Sequence, residues 1–427
     1  MKVHLVQLGC PKNLVDGERI LGALLKAGYE VVQDPQEADV LLVNTCGFIL
    51  PAKEESVEAI LEAGEVKRRT GAKLVVVGCL AQRYRGKLEA ELPEVDLILG
   101  LEEEREVVAY LDRLLRRRPS ACSWNGRYRL TPWHTAYLRL ADGCDNRCKY
   151  CAIPLIRGPL RSVPMEDVLE EARRLVEDGA GEVILIAQDT ANYGRDIYGE
   201  PRLVPLLEAL QEVEGLRWVR LLYAHPAHAD EGLVRAFREV PKLLPYLDLP
   251  IQHISEGVLR RMGRKVLGKR MRELVEMFRE NSDFCLRTTV LVGFPGEAEG
   301  DFEELLEFIE ETEFDRLGVF PYFPEEGTPA ASLPGQIPEE VRRERAERVM
   351  ALQQEVSLRR NRRWIGRTLE VLVEEDGVGR SFRDAPEVDG VVYFRGEAKV
   401  GEFVKVRVVD ADPYDLYGEL ATEEEGC

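Results

Sequence analysis

The chain contains Asp142-Gly143-Cys144-Asp145-Asn146-Arg147-Cys148-Lys149-Tyr150-Cys151, a loop of three closely spaced cysteines that directly follows a predicted strand. Three thiolates on one loop can hold a 4Fe-4S cluster by three of its irons, and the fourth iron is then open to a substrate. The alternative is a zinc site, but zinc normally takes four ligands from paired cysteines, and no fourth Cys or His stands near this run. The spacing therefore predicts an iron–sulfur cluster held by Cys144, Cys148 and Cys151.

The cysteine loop belongs to a series of six predicted strands that alternate with helical patterns. The strands fall at residues 136–140, 183–187, 218–223, 246–251, 286–292 and 317–320. Six strands with crossover helices in about 200 residues indicate a partial (β/α) barrel, because a full eight-unit barrel needs a longer chain. The carboxyl ends of the strands form the functional face of such a barrel, and the cysteine loop begins at one of them.

The residues before this barrel predict a second α/β unit. Short β-branched runs alternate there with amphipathic segments, which is typical of a small, mostly parallel, doubly wound sheet. The predicted strands are residues 3–8, 40–43, 74–77 and 97–99. An arginine run at 116–118 and the polar residues 123–129 indicate a linker to the barrel.

The residues after the barrel predict a helix and then a small β-barrel. The helical pattern runs from Pro338 to about Arg363, and short alternating segments follow at 368–373, 377–382, 390–393 and 403–408. Glycine and aspartate separate these segments, as in small all-β modules. The expected domains are therefore residues 1–118, 130–360 and 363–427.

Cys10, Cys46 and Cys79 form a second candidate set, although they are far apart in the sequence. Each follows one of the first three predicted strands, and the spacings of 36 and 33 residues are each one βα unit. The carboxyl ends of parallel strands meet at one edge of a sheet, so the three thiols are expected to converge there. Buried apolar cysteines are the alternative, but they have no reason to recur at the same strand end. We therefore predict a second cluster, and the neighbouring glycines at 9, 47 and 78 permit close backbone approach to it.

Composition limits the function classes. The 427 residues are 45% hydrophobic with a net charge of −19, and nine cysteines in a chain without an apparent export signal favour metal or thiolate chemistry over disulfides. No apolar run approaches the roughly 18 residues of a membrane span, so a soluble, cytoplasmic protein is expected. The acidic balance disfavours a broad grip on nucleic acid and favours a basic protein partner. Cys122, Cys285 and Cys427 receive no role.

Four motifs together resemble those of the radical SAM methylthiotransferases. They are LGCPKNLVD at 8–16, NTCGFI at 44–49, GCL at 78–80, and the cysteine loop continuing into AIPLIRG at 152–158. The resemblance covers essentially the whole chain as an N-terminal methylthiotransferase domain, a radical SAM barrel and a C-terminal TRAM module. Within the family, CPKNLVD and AIPLIRG are similar to the type that modifies an aspartate of the twelfth small-subunit ribosomal protein. Gly17 and Val163 depart from that pattern, where Ser and Arg are usual, but neither is a predicted ligand.

The resemblance implies a mechanism that uses two 4Fe-4S clusters and S-adenosylmethionine. The cluster at Cys144, Cys148 and Cys151 would cleave S-adenosylmethionine to a 5′-deoxyadenosyl radical, which makes these three cysteines the catalytic set. That radical would remove hydrogen from the aspartate β-carbon. Sulfur held at the second set would then bond to the carbon, and a second S-adenosylmethionine would supply the methyl group.

The resemblance also implies further cofactor-binding residues, each of which has a competing interpretation as a capping or turn residue. Tyr150 is expected near adenine, Gln188 and Asp189 near the methionine amine, and Arg287 and Gly293 on or after the fifth strand of the barrel. His225 and His228 are interpreted as solvated or hydrogen-bonded histidines rather than ligands.

Partners and competing functions stay open in the sequence. The implied partners are the ribosomal protein and an electron donor such as flavodoxin or ferredoxin. The alternatives are the same chemistry on a tRNA adenosine and a non-enzymatic iron–sulfur redox sensor. Residues 364–427 carry 7 basic and 16 acidic residues, a net charge of −9, which makes tRNA the less favoured substrate.

Overall fold

The computed structural model describes residues 1–120, 124, 126–266 and 268–421. Its first unit is a five-stranded parallel sheet with strand order β2-β1-β3-β4-β5. In chain order the elements are β1 (Lys2–Gln7), α1 (Pro11–Lys26), β2 (Glu30–Val31), β3 (Val40–Thr45), α2 (Leu50–Thr70), β4 (Lys73–Gly78), α3 (Cys79–Glu91), β5 (Leu97–Ile98) and α4 (Val107–Leu114). The predicted doubly wound sheet is confirmed, and the short β2 is added to it.

The sheet is doubly wound because successive residues of its central strands enter two different cores. Leu42 packs with residues of α1 and α4, whereas Leu41 and Val43 pack with residues of α2 and α3. All six residues of β3 are buried. A strand covered on both faces has no solvent side, which explains the continuous apolar run in the sequence.

The second unit is an open sheet of six parallel strands with order β13-β12-β11-β10-β9-β6. Its strands are β6 (Thr135–Arg139), β9 (Glu182–Ile186), β10 (Trp218–Leu221), β11 (Leu243–Asp248), β12 (Cys285–Val292) and β13 (Arg316–Pro321), and a separate ribbon consists of β7 (Ala141–Asp142) and β8 (Arg161–Ser162). Its helices are α5 (Ile153–Ile156), α6 (Met165–Glu177), α7 (Arg195–Tyr198), α8 (Leu203–Leu210), α9 (Glu231–Glu239), α10 (Glu256–Arg261), α11 (Gly268–Arg279), α12 (Glu299–Thr312) and α13 (Glu339–Arg362). The predicted partial barrel is confirmed. The ribbon, which the sequence did not predict, joins the two ends of the cysteine loop.

The third unit is a closed five-stranded barrel in which the strands follow the order β14-β15-β16-β18-β17. The strands are β14 (Thr368–Glu375), β15 (Val378–Ser381), β16 (Val392–Arg395), β17 (Phe403–Ala411) and β18 (Leu416–Leu420). The small β-barrel is confirmed, but the sequence missed β18 and predicted β16 two residues too early. Cys122 and Cys427 lie outside the described residues.

Buried ion pairs join the units to one another. Glu182, at the start of β9, lies 2.6 Å from Arg380 of the C-terminal barrel and 2.7 Å from Arg220 of β10. On the other side, Glu18 of α1 is fully buried and accepts hydrogen bonds from Arg127, including one of 2.9 Å from Nε. Because a buried charge without a partner is costly, these pairs fix how the units pack.

The helices of the described residues include none with both the length and the apolar character that a bilayer crossing needs.

Candidate active site

The N-terminal cysteine set, Cys10, Cys46 and Cys79, lies at the carboxyl edge of the N-terminal sheet, on three neighbouring strands. Cys46 directly follows β3, Cys79 begins α3 directly after β4, and Cys10 precedes α1 three residues past β1. The loops are in close contact, because a Cβ on Gly9 would lie 2.9 Å from Cys46 Cβ and 3.3 Å from its Sγ. Gly9 also has φ +84°, which only glycine adopts without strain. The structure therefore brings together the three cysteines that the strand pattern predicted.

The three thiols differ in acidity. Burial raises the pKa of Cys10, but the positive charges of Lys12 and Arg157 and the first amides of α1 outweigh it, and the net pKa is lowered. Burial raises the pKa of Cys46, and it raises that of Cys79 to about 12. Since metal ligands must be thiolates, loading a metal on this set releases protons from Cys46 and Cys79.

The other cysteine set, Cys144, Cys148 and Cys151, lies on the loop between β7 and β8. The loop is held closed by backbone hydrogen bonds from Cys144 to Gly158 O (3.1 Å) and from Cys151 to Cys148 O (3.0 Å). Burial raises the pKa of Cys144 to about 11 and of Cys151 to about 12. All three cysteines are free thiols close enough to interact electrostatically, as a shared inorganic ligand requires.

Asp189 anchors this loop to the carboxyl edge of the central sheet. Its Oδ2 accepts a hydrogen bond from Asn146 Nδ2 at 2.7 Å and lies 2.6 Å from His228 Nδ1. Its Oδ1 accepts from the backbone N–H of His225 at 3.2 Å. Asn146 stands between Cys144 and Cys148, so the loop conformation depends on this carboxylate.

The two histidines that were interpreted as hydrogen-bonded residues lie beside Asp189. Ligand atoms of Asp189, His225 and His228 lie within 4.8 Å of one another. His225 Nδ1 accepts from Ala227 N–H at 3.0 Å, which leaves the ring proton on Nε2. Among the described residues, that buried Nε2 has no hydrogen-bond partner.

Arg157 links the two cysteine sets. One of its terminal nitrogens lies 3.3 Å from Cys79 Sγ and 2.9 Å from Asp16 Oδ2, and the other lies 3.1 Å from Asp142. Cys79 also packs against Ala152 and Ile156, which directly follow the cysteine loop of the central sheet. The two sets therefore face the same interface between the first and second units.

Lys12 enters the same interface from the N-terminal unit. The side chain is 8% exposed, its Nζ lies 3.7 Å from the centroid of the Tyr223 ring, and it donates to Ala187 O at 3.4 Å. Lys12 and Arg157 were not among the residues predicted from the sequence to form the site. The only signal for them was their position inside the two cysteine motifs.

Three of the predicted cofactor-binding residues surround the cysteine loop. Asp189 holds it directly, and Gln188 Nε2 donates to Asp142 Oδ1 at 3.0 Å. Tyr150 accepts a hydrogen bond of 3.2 Å from Arg264 and contacts the edge of Phe294. Gln188 Oε1 is buried and unpartnered within the described part of the chain, so a polar ligand would satisfy it.

The other two predicted cofactor-binding residues make different contacts. Arg287 pairs with Asp389 of the C-terminal barrel at 2.5 Å. Gly293 turns the chain after β12 with φ +73°, and a Cβ there would lie 2.2 Å from Arg342 Cγ. Neither contact involves the cysteine loop, and a cofactor role for these two residues stays a prediction.

The donor atoms of the site fit two iron–sulfur clusters and S-adenosylmethionine. Each set offers three soft thiolate ligands, the kind that iron–sulfur clusters take. Gln188 Oε1 and His225 Nε2, which have no hydrogen-bond partner among the described residues, are a polar acceptor and a polar donor beside the loop of Cys144, Cys148 and Cys151. Such atoms suit the polar groups of S-adenosylmethionine.

An open parallel sheet with a C-x3-C-x2-C loop at its carboxyl edge defines a radical SAM protein, and comparison with known families agrees. Residues 138–309 match the Radical SAM superfamily, residues 2–100 match Uncharacterized protein family UPF0004, and residues 365–421 match the TRAM domain. The fold is similar to the radical S-adenosylmethionine methyltransferase TsrM from Kitasatospora setae. That likeness has a TM-score of 0.56 at 14% identity, and it covers 91% of this chain and 80% of that one.

Two relatives identify the particular family. The ribosomal protein uS12 methylthiotransferase RimO of Geobacter sulfurreducens is 47% identical over 98% of both chains. The RimO protein of Heliobacterium modesticaldum is 48% identical over 99% of this chain and 96% of its own. The chain belongs to the RimO family of radical SAM methylthiotransferases, which confirms the resemblance inferred from the motifs.

Proposed function

We propose that this protein methylthiolates the β-carbon of an aspartate in ribosomal protein uS12, with two 4Fe-4S clusters and S-adenosylmethionine. The observation that carries the proposal is the meeting of two three-cysteine sets at one interface, with Arg157 in contact with Cys79. One site must generate a radical and the other must present sulfur, and both must reach the same carbon atom. Two adjacent sets satisfy that requirement.

The residues divide the work between the two sets. When bound, the cluster at Cys144, Cys148 and Cys151 supplies the electron that cleaves S-adenosylmethionine, and the group at Cys10, Cys46 and Cys79 supplies sulfur. Asp189 orients the cysteine loop through Asn146. We assign Tyr150, Gln188, Asp189, Arg287 and Gly293 to the cofactor side of the site, with the first three contacting the cofactor or its loop.

Arg157 contributes charge to the interface. Its guanidinium is almost fully buried and lies between the Cys79 thiol and two carboxylates, Asp16 and Asp142. Thiolates that bind a metal carry negative charge into this buried region, and a fixed cation offsets that cost. Arg157 therefore favours a loaded set of thiolates over an empty one.

The remaining parts of the proposal concern partners. A C-terminal region with net charge −9 attracts a basic ribosomal protein and repels tRNA phosphates. The electron comes from a carrier such as flavodoxin or ferredoxin, and a uS12 substrate implies a cytoplasmic reaction. The three proposed domains, 1–118, 130–360 and 363–427, correspond to sulfur delivery, radical formation and substrate attraction.

The test is an anaerobic assay of reconstituted protein with uS12, S-adenosylmethionine and a reductant. Mass spectrometry measures the methylthio increment on uS12, and chromatography measures 5′-deoxyadenosine. Cys10→Ala is expected to keep 5′-deoxyadenosine formation and lose methylthio transfer, whereas Cys148→Ala is expected to lose both. Cys285→Ala is the matched control, since this cysteine lies in β12 outside both sets and is expected to keep both activities.

Three results would contradict the proposal. Methylthio transfer by Cys10→Ala would remove the N-terminal set from the reaction. Modification of tRNA anticodon stem-loops with uS12 left unchanged would assign the same chemistry to RNA. The absence of 5′-deoxyadenosine from fully iron-loaded protein would favour a redox sensor.

A further inference from the structure

The side chain of Lys12 extends from the N-terminal unit to the carboxyl edge of the central sheet. It stands on the first turn of α1 in the N-terminal unit, two residues after Cys10. Its ammonium nitrogen nevertheless contacts Ala187, which directly follows β9 of the central sheet, and Tyr223, which lies two residues past the end of β10. The side chain therefore ends where the carboxyl ends of the central strands meet the cysteines of the N-terminal sheet.

The ammonium group of Lys12 has unused hydrogen-bonding capacity. It carries three N–H donors, and its contacts are one long hydrogen bond to Ala187 O at 3.4 Å and the face of the Tyr223 ring at 3.7 Å. Within the described residues no carboxylate oxygen lies within 4.0 Å of it. The Cys10 thiolate is the largest negative charge that acts on it, and Asp248 and Asp142 act on it more weakly. By contrast, the neighbouring Arg157 is paired with two carboxylates.

A buried cation without an anion in contact is unfavourable, since a buried charge is normally paired or hydrogen-bonded. The backbone around it is also strained. Tyr223, whose ring faces the ammonium, has φ +61°, a left-handed conformation that is strained for a bulky residue. Its N–H donates to Asp248 Oδ2 at 3.2 Å, which holds this conformation. A buried lysine that has no carboxylate partner and faces a strained aromatic residue is suited to bind an anionic ligand.

From these contacts we propose that Lys12 binds the side-chain carboxylate of the target aspartate. This inference rests on the proposed function. In an aspartate the β-carbon is bonded directly to the carboxylate carbon. A carboxylate held by the ammonium of Lys12 therefore keeps the β-carbon beside the sulfur-bearing set that begins at Cys10. The lysine selects aspartate over asparagine, because a neutral amide gains less from a buried ammonium than a carboxylate does.

The carboxylate could in principle come from two sources, the target aspartate or the methionine part of S-adenosylmethionine. The position of Lys12 favours the aspartate, because the lysine belongs to the N-terminal cysteine set. The cofactor-side residues Asn146, Gln188 and Asp189 lie around the other set. The experiment separates the two sources by measuring the affinity for each ligand.

The test is a double-substitution cycle between enzyme and substrate. Wild-type protein, Lys12→Met, Lys12→Arg and the control Lys87→Met are assayed on uS12 and on uS12 whose target aspartate is replaced by asparagine. Lys87 is exposed, its ammonium pairs with the exposed Glu326 and lies 5.2 Å from the centroid of the Tyr84 ring, and its loss is expected to leave kcat/KM unchanged. Methionine keeps the unbranched shape and most of the length of the lysine side chain but lacks the charged donor.

We expect wild-type protein to lose about 10- to 100-fold in kcat/KM on the asparagine substrate, the range that a hydrogen bond to a charged group supports. Lys12→Met is expected to lose as much on the aspartate substrate and to lose little more on the asparagine form. Lys12→Arg is expected to retain part of the preference for aspartate. The dissociation constant for S-adenosylmethionine and the electron paramagnetic resonance spectrum of each reduced cluster should stay unchanged.

Several outcomes would overturn the inference while leaving the proposed function intact. They are equal kcat/KM of wild-type protein on the two substrates, a Lys12→Met defect confined to the affinity for S-adenosylmethionine, or loss of iron from both Lys12 variants. Failure of wild-type protein to modify any form of uS12 would instead overturn the proposed function, and this inference with it.

Discussion

At the residue scale, Asp189 shows how one buried carboxylate organises the cysteine loop. It is 2% exposed and is contacted by Asn146, by the ring of His228 and by the backbone N–H of His225. A carboxylate can accept all of these contacts because both of its oxygens are acceptors. An asparagine at this position has one acceptor oxygen and one donor nitrogen in its amide. At least one of the three N–H donors would then face the amide nitrogen, which is also a donor.

Asp189→Asn is therefore expected to misplace the cysteine loop while the protein still folds. An unsatisfied buried polar group costs about 1–3 kcal/mol, so we expect formation of 5′-deoxyadenosine to fall by roughly 10- to 100-fold. The measurement is a single-turnover assay on iron-loaded protein. Asp376→Asn, at an exposed turn of the C-terminal barrel, is the control and should match the wild type. A normal rate for Asp189→Asn would show that the loop does not depend on this carboxylate.

At the same scale, the sequence identifies the cysteines but not the side chains between them. The grouping of the six cysteines could be predicted because it depends on local patterns. Three of them are closely spaced on one loop, and the other three each follow a predicted strand. The contacts of Lys12 with Ala187 and of Arg157 with Asp16 join residues 175 and 141 positions apart. They depend on how two units dock, and no local pattern records that. Arg287 shows the same limit, since its partner Asp389 belongs to a third unit.

At the element scale, the end of β4 requires a glycine. Gly78 has φ +95°, and a Cβ at this position would lie 2.5 Å from Asn44 Oδ1 and 2.6 Å from Thr45 O. These atoms belong to the adjacent β3, whose next residue is Cys46. The close approach of the two strand ends therefore sets the spacing between Cys46 and Cys79.

Gly78→Ala is expected to destabilise the protein by about 1–3 kcal/mol and to reduce iron loading at the N-terminal set. Gly86→Ala is the matched control, because Gly86 lies on α3 in ordinary helical conformation and a Cβ there would meet no atom within 4 Å. It should stabilise the protein by up to about 1 kcal/mol. Urea unfolding and iron analysis measure both effects. Equal behaviour of the two variants would contradict the strand-end argument.

Elements were predictable where their pattern is local. The strands of the two parallel sheets appear as apolar runs because they are buried on both faces. The strand β18 escaped prediction because it is five residues long and partly exposed. It pairs antiparallel with β17, which precedes it in the chain, and in parallel with β16. The strands β7 and β8 have two residues each, too few to show a periodicity, and they pair across the cysteine loop, about 20 residues apart in the sequence.

At the scale of the whole molecule, Glu182 joins the central sheet to the C-terminal barrel. Burial raises the pKa of Glu182, but Arg380 and Arg220 outweigh it and lower the pKa to about 2. A carboxyl with a depressed pKa stabilises the folded state above its ordinary pKa of 4.5. That contribution is lost as the pH falls from about 4.5 towards 2.

Glu182→Gln is therefore expected to weaken the pH dependence of stability below pH 4.5. At pH 7 it should destabilise the protein by about 3–5 kcal/mol, because Arg220 and Arg380 lose their shared partner. Between pH 4.5 and 3 the free energy of unfolding of the wild type should fall more steeply than that of the variant. Tryptophan fluorescence during urea unfolding measures both. Glu375→Gln, at an exposed site, should follow the wild type, and parallel curves for all three proteins would contradict the assignment.

The burial of Glu18 has a consequence for any attempt to divide the chain. The helix α1 carries Cys10 at its beginning and Glu18 two turns later, and Arg127, the counterion of Glu18, lies beyond the end of the first sheet. An excised N-terminal fragment would keep the three thiols, but it would expose Glu18 on the surface of α1 that normally pairs with Arg127. If the backbone were cut between the units, the N-terminal fragment would therefore carry the Glu18 carboxylate without its partner Arg127. The pairing of Glu18 with Arg127 therefore ties the N-terminal unit to the segment that leads into the central sheet.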